Sequence, residues 1–356
     1  MATIKGSRIT TFSIAATYVG TVVGAGFATG QEVLRFFTHF GLNGIYGVLG
    51  ATVLFALLGG MILQIGHEVK AESHVAIVEA VAGPTLGRLL DWVITFFLFG
   101  GAAVMMAGSG AVFAESFGLS RFLGTAVMAV IAGGTVLLGL RGVVTSISAV
   151  APVLILLVLI VSVGSLLTTG IAPADLRWYQ PAEAAAPWWL VSLFLYVSYN
   201  LLISVAVLGP LGKEAPDAHT GYWGGFIGGV VLGFGVLLID LALLGGLPQS
   251  AGYEVPMVHL ARQFPPWIHG LYTLILWAEV YTTAVGSLYG LAVRLTRPES
   301  PRYGPVVLGA TAGALVLSQF GFSQMVGFLF PVVGWIGLIL VASLILRLFV
   351  PNRIRL

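Results

Sequence analysis

An apolar segment at residues 9–40 is too long to cross a membrane as one straight helix. At about 1.5 Å per residue it would extend roughly 45 Å, whereas the hydrocarbon layer of a bilayer is about 30 Å thick. The run GTVVGAGFATGQEVLR combines a glycine cluster with Gln31, Glu32 and Arg35. Because unpaired backbone is costly in lipid, a helix that breaks there must line a cavity or bury the break in protein. The segment therefore predicts two short helices that meet at membrane depth, an arrangement typical of ligand and ion sites in membranes.

Composition sets the class of protein. Hydrophobic residues make up 58% of the chain and charged residues 8%, a balance outside the range of soluble domains. The long continuous apolar runs predict an all-α protein that crosses the lipid bilayer several times. The chain has no cysteine, which excludes disulfides and thiolate chemistry. The basic residues lie mostly at helix ends, so we expect no nucleic-acid partner.

Ten membrane-spanning helices are expected from the apolar runs. They lie at about 9–40, 43–66, 89–117, 122–140, 144–167, 188–209, 219–246, 267–295, 304–319 and 325–348. With the N-terminus inside, the cytoplasmic loops and tails hold twelve lysine and arginine residues and the outer loops hold three. The positive-inside rule therefore places both termini in the cytoplasm of a multi-pass protein of the cell membrane.

The span count also predicts an inverted repeat. A polar stretch at 168–187 separates residues 1–167, with five spans, from residues 188–356, with five spans and a short basic tail. Since five spans reverse the orientation, the second half begins outside whereas the first half begins inside. Halves of opposite orientation are typical of secondary transporters, whose corresponding helices are interrupted at the binding site.

Span one offers backbone groups to a ligand. A half-helix that begins near Gly24, Ala25 and Gly26 would direct free N–H groups at an anionic ligand group. Carbonyls between Gly20 and Val23, at the end of the preceding half, would be free to coordinate a cation. The alternative is a glycine-rich face that only packs against another helix. The excess length of the segment and its polar second half favour the break.

Span six is the corresponding helix of the second half. Ser198, Tyr199 and Asn200 form a polar cluster with Tyr196 between apolar flanks, and Gly209–Pro210 is expected to end the helix. In lipid these side chains need either partners on other helices or a hydrated cavity. Helix packing and substrate binding both stay open for this cluster.

Other glycines are typical of close helix packing. On span seven they recur every four residues, at Gly221, Gly225, Gly229 and Gly233. Such a row gives a smooth face that another helix can approach closely. Gly101, with Gly100, lies near the middle of span three, where it lines either a helix contact or the substrate cavity.

Charged residues at membrane depth indicate an ion or proton site. Glu279 lies near the middle of span eight, with Thr282 and Thr283 one turn later. Their oxygens suit a small hard cation such as sodium, although threonines in membrane helices also bond their own preceding carbonyls. Glu32 and Arg35 are three residues apart, and they are either gating charges or a local ion pair.

The run GTVVGAGFATGQE resembles the first-helix signature of the YkvI-like membrane proteins. These are in turn similar to the amino acid–polyamine–organocation superfamily, which has the leucine-transporter fold. The resemblance implies that spans one and six are discontinuous and hold the substrate, with spans three, eight and ten completing the site. It also implies a sodium ion held by the carbonyls of Gly20, Val23 and Glu279 and the hydroxyls of Thr282 and Thr283.

Three observations bear on the coupling ion and the gate, and the last two are departures from that resemblance. Span five has no lysine like that of some proton-coupled members of the superfamily, which favours sodium. Span ten has no acid to pair with Arg35, which weakens Arg35 as an outer gate. Glu279 is not a usual feature of the sodium site, and it leaves proton coupling open.

The expected function is secondary active transport, with sodium-coupled symport of an amino acid or amine by alternating access. The expected substrate contacts are Val23, Gly24, Ala25, Gly26, Gly101, Ser198, Tyr199 and Asn200. The expected gating or coupling charges are Glu32, Arg35 and Glu279. The alternatives are proton coupling through Glu279 and a non-transporting receptor on the same fold. We expect no enzyme activity, no transition-metal site and no cofactor besides Na+ or H+, and the sequence sets no oligomeric state.

Overall fold

A computed structural model of the chain describes residues 9–138 and 150–349, and the regular structure in these ranges is helical. The helices are α1 Thr11–Val22, α2 Ala25–Thr29, α3 Gln31–Phe36, α4 Leu42–Glu68, α5 His74–Ala82, α6 Pro84–Phe117, α7 Arg121–Leu137, α8 Val150–Thr169, α9 Trp189–Glu214, α10 Ala218–Gly245, α11 Pro256–Ala261, α12 Pro266–Leu295, α13 Tyr303–Leu317 and α14 Phe322–Phe349. Short 3-10 turns lie at Thr38–Phe40, Asp175–Arg177, Pro181–Glu183, Gln249–Gly252 and Ser318–Phe320.

Eight helices in the described part of the chain are long and apolar enough to cross a membrane. They are α4, α6, α8, α9, α10, α12, α13 with its following turn, and α14. Helices α1 and α7 are apolar but shorter. This is the architecture of a multi-pass membrane protein, whereas the count of ten spans, the inverted repeat and its boundaries at 168–187 stay predictions.

The orientation of the termini also stays a prediction. Five of the basic residues used for it lie outside the described residues, namely Lys5, Arg8, Arg141, Arg353 and Arg355.

The first apolar segment is broken near Gly24, as predicted. Helix α1 ends at Val22, and Val23 and Gly24 are extended, with Gly24 at φ −123° and ψ −169°. Helix α2 then runs for a little more than one turn to Gly30, which has a φ of 78°. Glycine adopts this left-handed conformation without the steric cost that a side chain adds. The segment therefore consists of three short helices joined by two changes of direction.

Helix α9 is continuous from Trp189 to Glu214, so the prediction of a discontinuous span six is wrong. Ser198 and Asn200 of the polar cluster form side-chain hydrogen bonds while the backbone keeps its helical bonds. The Ser198 hydroxyl donates to the Gly334 carbonyl at 2.6 Å, and the Asn200 amide donates to the Tyr196 carbonyl at 2.9 Å. Pro210 lies inside the helix and does not end it, which corrects the predicted end at Gly209–Pro210.

The glycine row of α10 packs against α4, as predicted. A Cβ atom at Gly229 would lie 2.4 Å from the backbone of Phe55 and Ala56, and one at Gly225 would lie 2.7 Å from the backbone of Gly59. Only residues without a side chain allow backbones to approach this closely. Helices α4 and α10 pack closely along this row, and α1 packs against α10 beside them.

Candidate functional site

Helix α12 faces the break in the first segment. The Tyr272 hydroxyl donates to the Ala28 carbonyl at 2.6 Å, which fixes α2 against α12. Three turns further along, a Cβ atom at Gly24 would lie 3.9 Å from Thr283 Oγ1. The bare backbone at Gly24 therefore lies directly beside the Thr283 hydroxyl. The structure brings together these two regions of the predicted site, which are separated by more than 250 residues of sequence.

Glu279 lies between Tyr272 and Thr283 on the same face of α12, since the three are spaced by seven and four residues. Its side chain is buried, with 6% of the residue exposed. The Thr282 hydroxyl donates to the Glu279 backbone carbonyl at 3.0 Å, the bond within its own helix that threonines commonly form in membranes. The hydroxyl oxygen of Thr282 still has lone pairs for a cation, so this bond does not exclude a ligand role.

The end of α1 supplies carbonyl oxygens. The last turn of any helix leaves carbonyl groups without partners inside the helix. Here that turn includes Gly20, and Val23 follows it as the C-cap residue. Val23 is buried, whereas Gly20 is exposed, and a Cβ atom at Gly20 would meet no other atom within 4 Å. Of the predicted ion ligands on the first segment, Val23 is thus buried and Gly20 is exposed.

Glu32 folds back over α2. A Cβ atom at Gly26 would lie 1.6 Å from Glu32 Oε1, so the carboxylate occupies the space that any side chain at position 26 would need. The Tyr199 hydroxyl of α9 donates a hydrogen bond to Glu32 Oε2. Glu32 is 7% exposed. The carboxylate therefore lies at the break itself, linked to the helix that was predicted to hold the other side of the substrate site.

Arg35 points away from Glu32, which corrects the alternative of a local ion pair between them. Its guanidinium donates to the Glu183 carbonyl at 2.6 Å and to Ser323 Oγ at 2.7 Å, and it lies 3.5 Å from the Glu183 carboxylate. Gln31 also donates to Ser323 Oγ, at 2.6 Å. Arg35 thus ties α3 to the 168–187 loop and to α14. A serine and a loop acid take the place of the acid that span ten lacks.

Aromatic rings enclose the Glu32–Tyr199 pair. The ring of Tyr199 stacks on Phe330 of α14, with centroids 5.1 Å apart and planes at 23°. Phe330 in turn contacts Phe97 of α6, with centroids 5.7 Å apart. Phe36 lies 5.6 Å from Tyr199 on the other side. Helices α3, α6, α9 and α14 therefore meet around one buried carboxylate.

The remaining predicted substrate residues fall into two groups. Gly101 of α6 faces α12, because a Cβ atom there would lie 3.4 Å from Ser287 Oγ. Ser198 and Asn200 direct their side chains to the α9–α14 contact and to their own helix. Ala25 and Gly26 are buried in α2. The break and Gly101 therefore both lie beside α12, and Tyr199 reaches the break through Glu32. The side chains of Ser198 and Asn200 bond backbone carbonyls of α14 and α9 instead.

Sequence inspection missed Tyr272 and Ser287. Both continue the face of α12 that carries Glu279 and Thr283, at spacings of seven, four and four residues along Tyr272, Glu279, Thr283 and Ser287. That helical periodicity was the available signal, because residues at these spacings share one side of a helix. Glu183 and Ser323, which bind Arg35, carried no local signal.

The structure also shows a small apolar hollow on the opposite side of the break. It has a volume of about 70 Å³, and its walls include Val19, Val23 and Phe27 together with apolar residues of α8 and α10. A cavity without polar groups does not hold an ion or a polar solute. This hollow is therefore unsuited to a charged ligand. Among the described residues, no group of three or more histidines, cysteines or acids is placed to hold a metal ion.

Two curated proteins align with nearly the whole chain, although no family model matches it. The membrane protein YkvI of Bacillus subtilis strain 168 is 32% identical over 347 residues, which cover 97% of this chain and 98% of YkvI. The protein YyaD of the same organism is 27% identical over 336 residues, which cover 92% of this chain and 94% of YyaD.

Solved structures of transporters share the fold. MhsT in complex with L-phenylalanine has a TM-score of 0.63 at 14% identity, covering 91% of this chain and 87% of MhsT. A Na+-coupled sialic acid symporter in a substrate-bound outward-open state has a TM-score of 0.58 at 13% identity, covering 88% and 75%. Mhp1 in its inward-facing conformation has a TM-score of 0.56 at 13% identity, covering 95% and 77%. The chain therefore has the leucine-transporter fold that the sequence resemblance implied.

Proposed function

We propose a transport function for this chain, which belongs to the YkvI family of membrane proteins. The proposal is secondary active transport of a small organic solute by alternating access. One observation carries it, namely the break at Val23 and Gly24 placed beside the Thr283 hydroxyl of α12. A helix interrupted at membrane depth exposes backbone polar groups, and these are useful where a polar ligand replaces their missing partners.

Sodium is the proposed coupling ion. The proposed ligands are carbonyl oxygens at the end of α1, the hydroxyls of Thr282 and Thr283, and the oxygens of Glu279. These hard ligands suit an alkali cation, and Thr283 lies against Gly24. One solved structure of this fold is that of a Na+-coupled sialic acid symporter, which supports the same ion class here.

The proposed substrate carries an amino group. The region around α2 holds two buried carboxyl groups, Glu32 and Glu279, and Arg35 is engaged with the loop and α14. An ammonium group would pair with Glu32 and contact the ring faces of Tyr199 and Phe330, which attract cations. Amino acids and amines both meet this description. MhsT was solved with an amino acid bound, which supports the amino acid.

The sodium site is tested by replacing both hydroxyls, Thr282→Ala together with Thr283→Ala. We expect the folded protein to keep its stability in potassium but to lose the extra stability that sodium gives. A ligand at a hundred times its Kd stabilises a protein by about 2.7 kcal/mol, so the shift is measurable by thermal unfolding in detergent. The matched control is Thr273→Ala on the same helix, whose hydroxyl bonds the His269 carbonyl and no other group in the described part of the chain. An unchanged sodium shift in the double variant would reject the site.

Proton coupling through Glu279 is the competing proposal for this site. It predicts that Glu279→Gln abolishes the pH dependence of uptake and leaves the sodium shift unchanged. Uptake is measured in proteoliposomes with the amino acids and amines that raise the unfolding temperature in a panel run with and without sodium. Ligands that stabilise the protein but are not transported would favour a receptor over a carrier.

A further inference from the structure

Asp240 of α10 is a buried acid outside the site described above. The residue is 0% exposed. The Thr38 hydroxyl donates to Asp240 Oδ1 at 2.7 Å, and Oδ2 has no hydrogen-bond partner among the described residues. A carboxyl oxygen that is fully buried without a partner is rare, because no hydrogen bond offsets the free-energy cost of its lost hydration. Such an atom calls for a functional explanation.

No cation neutralises this carboxyl in the described part of the chain. Asp240 lies seven residues after Gly233, so it continues the face of α10 that packs on α4. The elements packed around this end of α10 carry seven titratable or charged residues, Glu32, Arg35, His39, Tyr46, Asp175, Arg177 and His259. None of the seven forms a hydrogen bond or an ion pair with Asp240 among the described residues, since Glu32 is engaged with Tyr199 and Arg35 with Glu183. An ionised carboxylate here would be buried without a counter-charge.

We propose that Asp240 binds a transported or regulatory proton, and that Thr38 couples this proton to the position of the first segment. The set of ligands suits a proton better than a metal cation. It consists of one carboxyl group and one hydroxyl whose hydrogen is already directed at Oδ1, whereas a sodium ion needs several more oxygens. The proton would reside on Oδ2, the oxygen that has no partner in this conformation.

Thr38 gives the proton site its link to transport, and this part of the proposal rests on the proposed function. Thr38 begins the 3-10 turn that follows α3, so it belongs to the part of the first segment beyond the break. If that part separates from α10 during alternating access, Thr38 leaves Oδ1 and water reaches Oδ2. The O–H bond of the carboxyl then breaks, the proton passes to water, and the carboxylate stays hydrated. Protonation therefore stabilises the closed arrangement of α3 against α10.

The separation can be followed with a single cysteine, because the chain contains none. The reporter is Leu243→Cys, since Leu243 is fully buried and its Cδ1 atom lies 3.5 Å from a Cβ atom at Gly30. An exposed reference is Ala182→Cys in the 168–187 loop. The rate of labelling with a membrane-impermeant maleimide is measured against pH for both, and the ratio of the two rates removes the intrinsic pH dependence of the thiol.

The expected ratio rises with pH by about tenfold per pH unit below the midpoint, as a one-proton equilibrium requires. In the Asp240→Asn background, which mimics the protonated acid, the ratio is expected to stay low and flat. Thr38→Val removes the hydrogen bond to Oδ1 and is expected to move the midpoint without abolishing the rise. The same pH profile with and without Asp240→Asn would overturn the proposal.

A second measurement keeps the test independent of the reporter. Infrared difference spectra of the full chain in lipid, taken between acid and alkaline pH, report the C=O stretch of a protonated carboxyl. We expect one such band to vanish in Asp240→Asn and to shift in Thr38→Val. The absence of any band that depends on Asp240 would overturn the proposal. Failure here is distinguishable from failure of the sodium site, because Asp240→Asn leaves Thr282 and Thr283 intact and is expected to keep the sodium-dependent stabilisation.

Discussion

The first segment and helix α9 were expected to be alike, yet one is broken and the other is continuous. Both carry polar or glycine-rich residues at membrane depth. In the first segment the backbone leaves the helix at Val23 and Gly24 and turns again at Gly30. In α9 the backbone is helical throughout, and only the side chains of the polar cluster depart from the apolar pattern.

The difference lies in which groups need partners. Glycine removes the side chain and weakens the helix, so the backbone itself can become the ligand-binding surface. Serine, tyrosine and asparagine instead place the polar atom at the end of a side chain, which can reach another helix while the backbone keeps its own bonds. Ser198 reaches Gly334 and Tyr199 reaches Glu32 in this way. A polar cluster in an apolar helix therefore predicts contacts between helices as readily as it predicts a break.

The largest effect on this comparison is expected from Gly30→Ala in the broken segment. Alanine in the left-handed conformation costs about 1–2 kcal/mol. Its Cβ atom would also lie 2.7 Å from Met257 Cγ, and such overpacking costs about 1–3 kcal/mol. We expect a loss of about 3 kcal/mol in the free energy of unfolding, measured with denaturant in detergent micelles.

The control for this change is Gly20→Ala in α1. Gly20 is helical, and a Cβ atom there meets nothing within 4 Å. Alanine is therefore expected to stabilise α1 by about 0.5–1 kcal/mol. Equal effects at the two glycines would mean that the turn at Gly30 does not hold the broken segment in place.

The link between the two regions is tested by Tyr199→Phe. This change removes the hydroxyl that bonds Glu32 and leaves a buried carboxyl group without a donor, at a cost of about 2 kcal/mol. The matched control is Tyr196→Phe one turn earlier, whose buried hydroxyl has no hydrogen-bond partner among the described residues. That control is expected to be neutral or stabilising. A double-mutant cycle with Glu32→Gln measures the coupling, and a coupling near zero would contradict the contact.

The smallest effect is expected from Ser198→Ala in the continuous helix. The change removes one hydrogen bond to the Gly334 carbonyl and should cost about 1 kcal/mol of stability. Because this bond lies in the α9–α14 contact, the sodium shift and uptake are expected to be unchanged. A large loss of uptake without a loss of stability would return Ser198 to the substrate site.

Much of the fold followed from local signals. The apolar runs located the described ends of the long helices to within about five residues, and the predicted start of span five at 144 lies outside the described residues. The glycine row of α10 indicated the close packing on α4 that the structure contains. The excess length of the first segment predicted its break. These features depend on the solvent, because a helix whose backbone groups are all hydrogen-bonded is stable in lipid, whereas each unpaired backbone group there costs free energy.

Local sequence patterns did not predict which side chains from distant segments bind each other. Arg35 and Glu32 are neighbours on one short helix, and their spacing suggested a pair. In the folded chain Glu32 binds Tyr199 and Arg35 binds Glu183 and Ser323. Nothing in the residues around Glu183 or Ser323 distinguishes them from other polar residues near a helix end.

The sequence by itself determined that this chain spans a membrane as apolar helices and that the first of them is interrupted near Gly24, because hydrophobic length and glycine content act through the solvent and the local backbone. Only the tertiary structure decided that α9 stays continuous, that Glu32 turns back over α2, and that Asp240 is buried with Thr38 as its one hydrogen-bond partner among the described residues. The physical reason is that a polar group in lipid must be satisfied by whichever helix packs beside it. That neighbour is chosen by the packing of the whole chain.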